Sequence, residues 1–320
     1  MKITIVAFDL WGFNKQLVEY LKLQGIEVTF YDSNSIRYIY KSKSERVKNF
    51  FSKVFLNQNI KKDYLNKTLI RKINSLELQD YIFIVNPGQF KQEIIGLLRN
   101  KASQFIAYNY DSLARIPLPE NRSQLFDKIF SFDLKDVREN DDLTLLTNFI
   151  YVDREINPAP KNKAFMILSK SVERERILSR IADIFDRKNI SNYEFIVANP
   201  ATKKVNKHIK LTEKHIPLQT VISKMKEAEI LIDLVRPNQS GLSFRVFEAM
   251  AFHKKLITNN ETIKEYDFYD PENILILDNG FKDIPDAFLN QPYQEIPEDI
   301  YRKYTLEHFA KTVFPTINIQ

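Results

Sequence analysis

The sequence contains no cysteine, which excludes disulfides, thiolate nucleophiles and cysteine–zinc sites. Glycine is scarce, six in 320 residues. No G-x-G-x-x-G follows the first apolar run and no G-x-x-x-x-G-K-[ST] occurs, so neither the dinucleotide turn nor the P-loop can be built in standard form. No serine stands in a G-x-S-x-G elbow, which removes the usual hydrolase signal. His208, His215, His253 and His308 are scattered without ligand spacing, so no metal is expected. No apolar stretch nears the roughly 18–20 residues that span a bilayer. The opening MKITIVAFDLW is too short an apolar run for a secretion signal and reads as a first strand. The expectation is a cytoplasmic protein, compatible with a peripheral place on the inner face of a membrane.

What is present is ordinary globular text: 44% hydrophobic and 28% charged residues over a length that favours two domains. Strand-like and helix-like segments alternate. Ile3–Ala7, Glu27–Tyr31, Asp80–Val85, Gln104–Tyr108 and Lys128–Phe132 read as strands. Asn14–Leu23, closed by Gly25, and Phe90–Leu98 read as helices. A boundary is expected in Tyr151–Lys163, where Asn157-Pro158-Ala159-Pro160 is linker-like. A second alternation follows, with strands Ala164–Leu168, Tyr193–Val197, Glu229–Leu234, Lys255–Thr258 and Asn273–Leu277. Its helices are Val172–Arg187, Leu218–Ala228, Phe244–Ala251 and a closing Glu298–Val313. The pattern predicts an α/β protein of two Rossmann-like, doubly wound domains, 1–152 and 153–320, with an inter-domain cleft. The last helix is expected to pack back on the first domain. Ligands of such sheets lie beyond the carboxyl ends of the strands. That rule singles out the loops Asp9–Phe13, Asn86–Gln89 and Asn109–Pro119.

The net charge of +6 is unevenly spread: Arg37–Lys72 holds 11 Lys/Arg against two acids, Glu45 and Asp63. Aromatic residues Tyr38, Tyr40, Phe50, Phe51, Phe55 and Tyr64 interleave with them. A solvated helical face with a core stripe accounts for this pattern, and so does a surface for an anionic partner such as acidic lipid, phosphorylated glycan or nucleic acid.

The segment richest in chemistry begins at Glu229-Ile230-Leu231-Ile232-Asp233-Leu234, a buried strand carrying an acid. A polar loop through Ser240-Gly241-Leu242-Ser243 then enters the helix from Phe244. Backbone N–H groups at a helix N-terminus are unpaired and sit at the positive end of the dipole, which suits phosphate. Gly241 permits close backbone approach, and Ser240 or Ser243 can cap the helix. Arg245 stands in the first turn, where a cation opposes the dipole unless an anion is present. Glu248 shares its face, three residues on. One face could offer a guanidinium to a diphosphate and a carboxylate to ribose. An ordinary strand–loop–helix with an i,i+3 salt bridge fits the same local physics.

The run GLSFRVFEAMAFHKKLITNN resembles the donor-binding segment of GT-B glycosyltransferases. The similarity is nearest to bacterial glycosyltransferase group 1-like enzymes that build surface polysaccharide and lipooligosaccharide. The resemblance implies that Glu248 binds the nucleotide ribose. It implies that Arg245 and the backbone of Ser240, Gly241, Leu242 and Ser243 bind the diphosphate. It also implies a basic contact from Ser169–Arg174, with Lys170 ahead of Arg174, and a nucleobase loop at His215–Leu218. Many retaining members carry Glu-x7-Glu ending at the position of Glu248. Here Ser240 stands eight residues earlier, which leaves retaining and inverting outcomes open. The first domain would serve the acceptor, with Asp111 as base and Asp9 as its rival, each with an alternative role as turn or cap. Arg115 lies near Asp111 in sequence.

The implied activity is metal-independent, hexosyltransferase-like transfer from a nucleotide sugar to a cell-surface glycan or glycolipid precursor, as in polysaccharide or lipopolysaccharide assembly. The donor is a substrate and no cofactor or metal is expected. Arg37–Lys72 could meet an anionic membrane, and no nucleic acid is expected as a partner. A non-catalytic nucleotide- or glycan-binding protein on the same scaffold, or a sugar-nucleotide epimerase, are the alternatives.

Overall fold

The computed structural model describes residues 1–56, 58–156, 159–201, 206–214 and 216–317. His215 and the Asn157-Pro158 pair of the expected linker lie outside the described residues. The chain forms two compact units. The first holds Met1–Phe132, Asp136–Leu146 and the segment from Ala310 onward; the second holds Asp133–Lys135 and Thr147–Phe309.

In chain order the elements up to residue 146 are β1 (Lys2–Ala7), α1 (Phe13–Leu23), β2 (Glu27–Asp32), α2 (Lys43–Phe55), α3 (Ile60–Asn74), β3 (Gln79–Val85) and α4 (Gln92–Arg99). Then come β4 (Ala102–Asn109), α5 (Arg122–Leu125), β5 (Lys128–Ser131), α6 (Leu134–Glu139) and β6 (Thr144–Leu145). The six strands form one parallel sheet, ordered β2-β1-β3-β4-β5-β6. Its central strands are near-continuous apolar runs because both faces are covered. Val6, Ile82, Ile84 and Phe105 pack on Leu69 and Ile73 of α3 and on Ile94, Ile95 and Leu98 of α4. Tyr81 and Phe83 meet Phe314 edge-on, at centroid distances of 5.4 and 5.8 Å. Gly25 ends α1 with φ 75°, and the bonds Gly25 N–H to Lys22 O (2.9 Å) and Ile26 N–H to Leu21 O (3.1 Å) form a Schellman cap.

The later elements are β7 (Asn162–Ser169), α7 (Val172–Arg187), β8 (Tyr193–Ala198), β9 (Lys210–Thr212), α8 (Leu218–Lys226), β10 (Ala228–Asp233) and α9 (Phe244–Ala251). They end with β11 (Lys255–Thr258), β12 (Ile274–Ile276), α10 (Asp286–Asn290), α11 (Glu298–Arg302) and α12 (Leu306–Val313). Again six strands lie parallel, ordered β12-β11-β10-β7-β8-β9. The strand period of two divides the core. Phe165 and Leu231 face Met225 and Phe247 on α8 and α9. Ala164, Met166, Ile230 and Ile232 face Leu178, Ile181 and Phe185 on α7.

Three local readings differ from the sequence pattern. The short strands β6 and β9 carry too few residues to show a period. The closing helix is two helices, because the Thr305 hydroxyl accepts from His308 N–H at 3.3 Å and starts a fresh one. The basic region likewise holds two helices, the second capped by Asn59, whose Oδ1 accepts from Lys61 N–H at 3.1 Å.

Candidate functional site

Strand order reverses between β7 and β10 in the second sheet, which puts the topological switch point at Ser169 and Asp233. Cations gather there. Arg174, in the first turn of α7, donates from Nη2 to the Ser169 carbonyl at 2.9 Å and from Nη1 to the Leu234 carbonyl at 3.3 Å. It thereby ties the two strand ends together. Arg236, in the loop after β10, donates to Ser169 Oγ at 3.3 Å. Lys170, the residue after Ser169, is exposed. Arg236 is not among the residues expected from sequence, and its one local signal is a cation just past the end of a buried strand.

The helix α9 begins at Ser243, whose Oγ accepts from Arg245 N–H at 3.1 Å and donates to Asp233 Oδ1 at 2.7 Å. Asp233 is buried and its Oδ2 has no hydrogen-bond partner among the described residues. Burial pushes its carboxyl up, against the opposing effects of Ser243, Arg245 and Arg174. Arg245 and Glu248 share one face, as expected, and pair with each other at 3.2 Å with side chains 14% and 5% exposed. The Arg245 guanidinium also touches Met225 Sδ and lies 5.9 Å from the Phe165 ring centroid. Glu248 accepts from the Tyr151 hydroxyl. Burial and the Glu248 charge hold that phenol well above its usual range. Tyr151 was not singled out in the sequence, since nothing local connects it to a residue 97 positions away.

The loop before α9 is held by an anion from its own chain. Asp133, 1% exposed and part of the second unit, accepts from Ser240 N–H (2.7 Å), Gly241 N–H (3.0 Å) and the Ser240 hydroxyl. Asn260 and Thr262 donate to the Ser240 carbonyl at 2.9 and 2.6 Å, and Asn148 to the Leu242 carbonyl at 2.9 Å. Of the Ser240–Ser243 backbone that the resemblance gives to a diphosphate, the Ser240 and Gly241 N–H groups therefore carry the Asp133 carboxylate. Ser240, the residue standing where an acid is common, is hydrogen-bonded to one.

In the first unit the order reverses between β1 and β3. The Asn86-Pro87-Gly88 turn follows β3, with Asn86 left-handed at φ 50° and its Oδ1 accepting from Tyr110 N–H at 3.0 Å. A Cβ on Gly88 would run into the Pro117 carbonyl oxygen, so glycine lets this turn seat against the loop after β4. Asp111, on that loop, is gripped by Arg115 Nη1 at 3.1 and 3.0 Å to its two oxygens. Asp9 accepts from the N–H groups of Gly12 (3.0 Å), Asn14 (3.3 Å) and Lys15 (2.9 Å), ordering the start of α1. Burial is the main cause pushing the Asp9 carboxyl up. Both acids act on Tyr110, whose phenol is pushed up to about 12, chiefly by burial. Nearby, a cleft of about 470 Å³ is lined by Phe8, Asn34, Arg37, Tyr38, Lys61 and Phe90 among others. Among the described residues no three His, Asp or Glu side chains gather as a metal site would need.

No family model matches the chain, and no curated protein matches it in sequence. Solved structures do match in fold. An alpha-glucosyltransferase in complex with UDP-glucose and DNA containing an abasic site superposes with TM-score 0.56 at 12% identity, covering 98% of this chain and 92% of that one. The UDP-GlcNAc 2-epimerase from Neisseria meningitidis bound to UDP-GlcNAc gives 0.52 at 11%, covering 99% and 100%. The trehalose-6-phosphate phosphatase N-terminal domain of Candida albicans gives 0.53 at 10%, covering 97% and 95%. At these identities the shared property is the fold, a pair of Rossmann-like units of the GT-B type.

Proposed function

We propose that the protein is a glycosyltransferase that moves a sugar from a nucleotide-sugar donor to a bacterial cell-surface glycan or glycolipid precursor. The observation that carries this reading is the meeting of Arg174 and Arg236 on Ser169 at the switch point of the second sheet, with Lys170 the next residue in the chain and exposed. A parallel α/β sheet binds ligands at that point, and three cations there suit a diphosphate.

In this reading the donor lies on the second unit. Lys170, Arg174 and Arg236 neutralise the departing nucleoside diphosphate, which is where charge develops as the glycosidic bond breaks. Glu248 serves the ribose hydroxyls, held in place by Arg245 and Tyr151, and Asp133 fixes the Ser240–Leu242 loop above the helix. The first unit serves the acceptor. In an inverting displacement the acceptor hydroxyl oxygen bonds to the anomeric carbon, the carbon–diphosphate bond breaks, and Asp111 takes the hydroxyl proton while Arg115 orients it. Asp9 is the weaker base, because its oxygens already hold the start of α1.

Thermal unfolding with UDP-, GDP-, CDP- and dTDP-sugars tests the reading, since a ligand of the folded state raises stability by about 2.7 kcal/mol at 100 times its Kd. One donor should stabilise the wild type, and the Lys170→Ala/Arg236→Ala protein should lose most of that gain. Product analysis should then show transfer that needs an acceptor and falls at least about 100-fold in Asp111→Asn. No response to any nucleoside diphosphate would sink the proposal. Conversion of donor without acceptor would mark an epimerase, and donor binding with no turnover a binding protein.

A further inference from the structure

The helix α2 is folded inside out. Its apolar residues Val47, Phe50, Phe51, Val54 and Phe55 fall at i, i+3, i+4, i+7 and i+8, one continuous face. That face points to solvent: the five are 54, 63, 53, 59 and 74% exposed, and Leu56 just beyond is 64% exposed. The polar side does the anchoring. Glu45 accepts from the Tyr38 hydroxyl at 2.6 Å, and Asn49 bonds the Tyr40 hydroxyl at 2.7 Å and Ile60 N–H at 2.9 Å. No residue of α2 is buried. A surface helix of a globular protein shows the reverse arrangement, so this apolar face has a covering medium outside the unit.

The flanking charge says which medium. On the helical wheel Arg46 and Lys53 fall at one edge of the apolar face and Lys48 at the other, with Lys43 at its N-terminal end, and all four are exposed. Phenylalanines between rows of lysine and arginine are the pattern of a helix lying in a lipid interface, rings among the acyl chains and cations among anionic headgroups. A second copy of the chain would bring like charges together around a self-complementary face. Nucleic acid would have no use for Val47 and Val54. The basic surface also continues into the cleft lined by Arg37, Lys61 and Lys62. Among the described residues no helix is long and apolar enough to cross a membrane, so the contact would be superficial.

We propose that the outward face of Lys43–Phe55 docks the protein on an anionic bilayer surface. The proposal is independent of the nucleotide site. Co-sedimentation of the full chain with phosphatidylcholine–phosphatidylglycerol vesicles and with phosphatidylcholine vesicles tests it. The mixed vesicles should bind the protein, the pure ones at least tenfold less, and added salt should weaken binding by screening. Lys43→Gln/Lys48→Gln/Lys53→Gln should weaken binding about 100-fold, near fivefold for each cation. Phe50→Ser/Phe55→Ser should weaken it at least as much, with the thermal unfolding curve unchanged because neither ring is buried. Undiminished binding by the phenylalanine variant would overturn the proposal. So would equal binding to both vesicles, or a concentration-dependent dimer that this variant abolishes.

Discussion

Asp233 is a buried acid whose Oδ2 has no hydrogen-bond partner among the described residues, and burial raises its carboxyl above the usual range. An acid with a folded pKa above its unfolded value keeps its proton longer when folded. Its contribution to stability is full below the usual carboxylate range, near pH 4, and is lost as pH rises through and above it. Asp233→Asn removes that loss. The variant should therefore gain on the wild type in urea midpoint between pH 4 and pH 7. A gain in the opposite sense would mean that Arg174 and Arg245 hold the carboxylate charged. Glu248 is the contrasting case, a buried acid paired with Arg245 and Tyr151. Glu248→Ala leaves a guanidinium and a hydroxyl stranded, and should cost about 3 kcal/mol in urea unfolding at neutral pH. A cost near zero would show that the pair is solvated. Of these groups the sequence exposed Arg245 and Glu248, three residues apart on one helix. Tyr151 and Asp133 come from positions 97 and 107 residues distant, which no local pattern connects.

At the scale of elements, chemistry at the ends governs. Gly25 occupies a left-handed position with φ 75° and open space where a Cβ would go. Gly25→Ala meets no atom and should cost only the conformational penalty, about 1 kcal/mol by urea unfolding. A loss of several kcal/mol would mean that the Schellman cap itself had broken. This cap was readable because glycine after an amphipathic run has one common use. The helices α7 and α9 carry the bounds expected from sequence, α7 through its long apolar spacing and α9 through the Ser243 cap. The break between α11 and α12 depends on one threonine hydroxyl, a signal too small to outweigh a continuous amphipathic run. The spacing of α2 was equally plain, yet period alone cannot say whether an apolar face turns inward or outward.

At the scale of the whole molecule, the proposed chemistry draws its positive charge from side chains. In the proposed site Lys170, Arg174 and Arg236 would do for the donor phosphates what a bound cation does elsewhere. Treatment with EDTA should leave the transfer rate unchanged, and a rate restored only by added magnesium would overturn metal independence. The alternation of strand and helix by itself determined two parallel α/β sheets, because periods of 2 and 3.6 are written in neighbouring residues. The binding of ligands beyond the carboxyl ends of parallel strands then singles out the strand ends from the alternation alone. Only the tertiary structure decided which side chains meet there. It gave the Ser240 and Gly241 N–H groups to Asp133, set Tyr151 on Glu248, brought Arg236 to Ser169 and turned the phenylalanines of α2 outward. Each of these depends on distance in space between residues far apart in the chain or on which side of a helix the rest of the unit lies, and neither is encoded in local spacing.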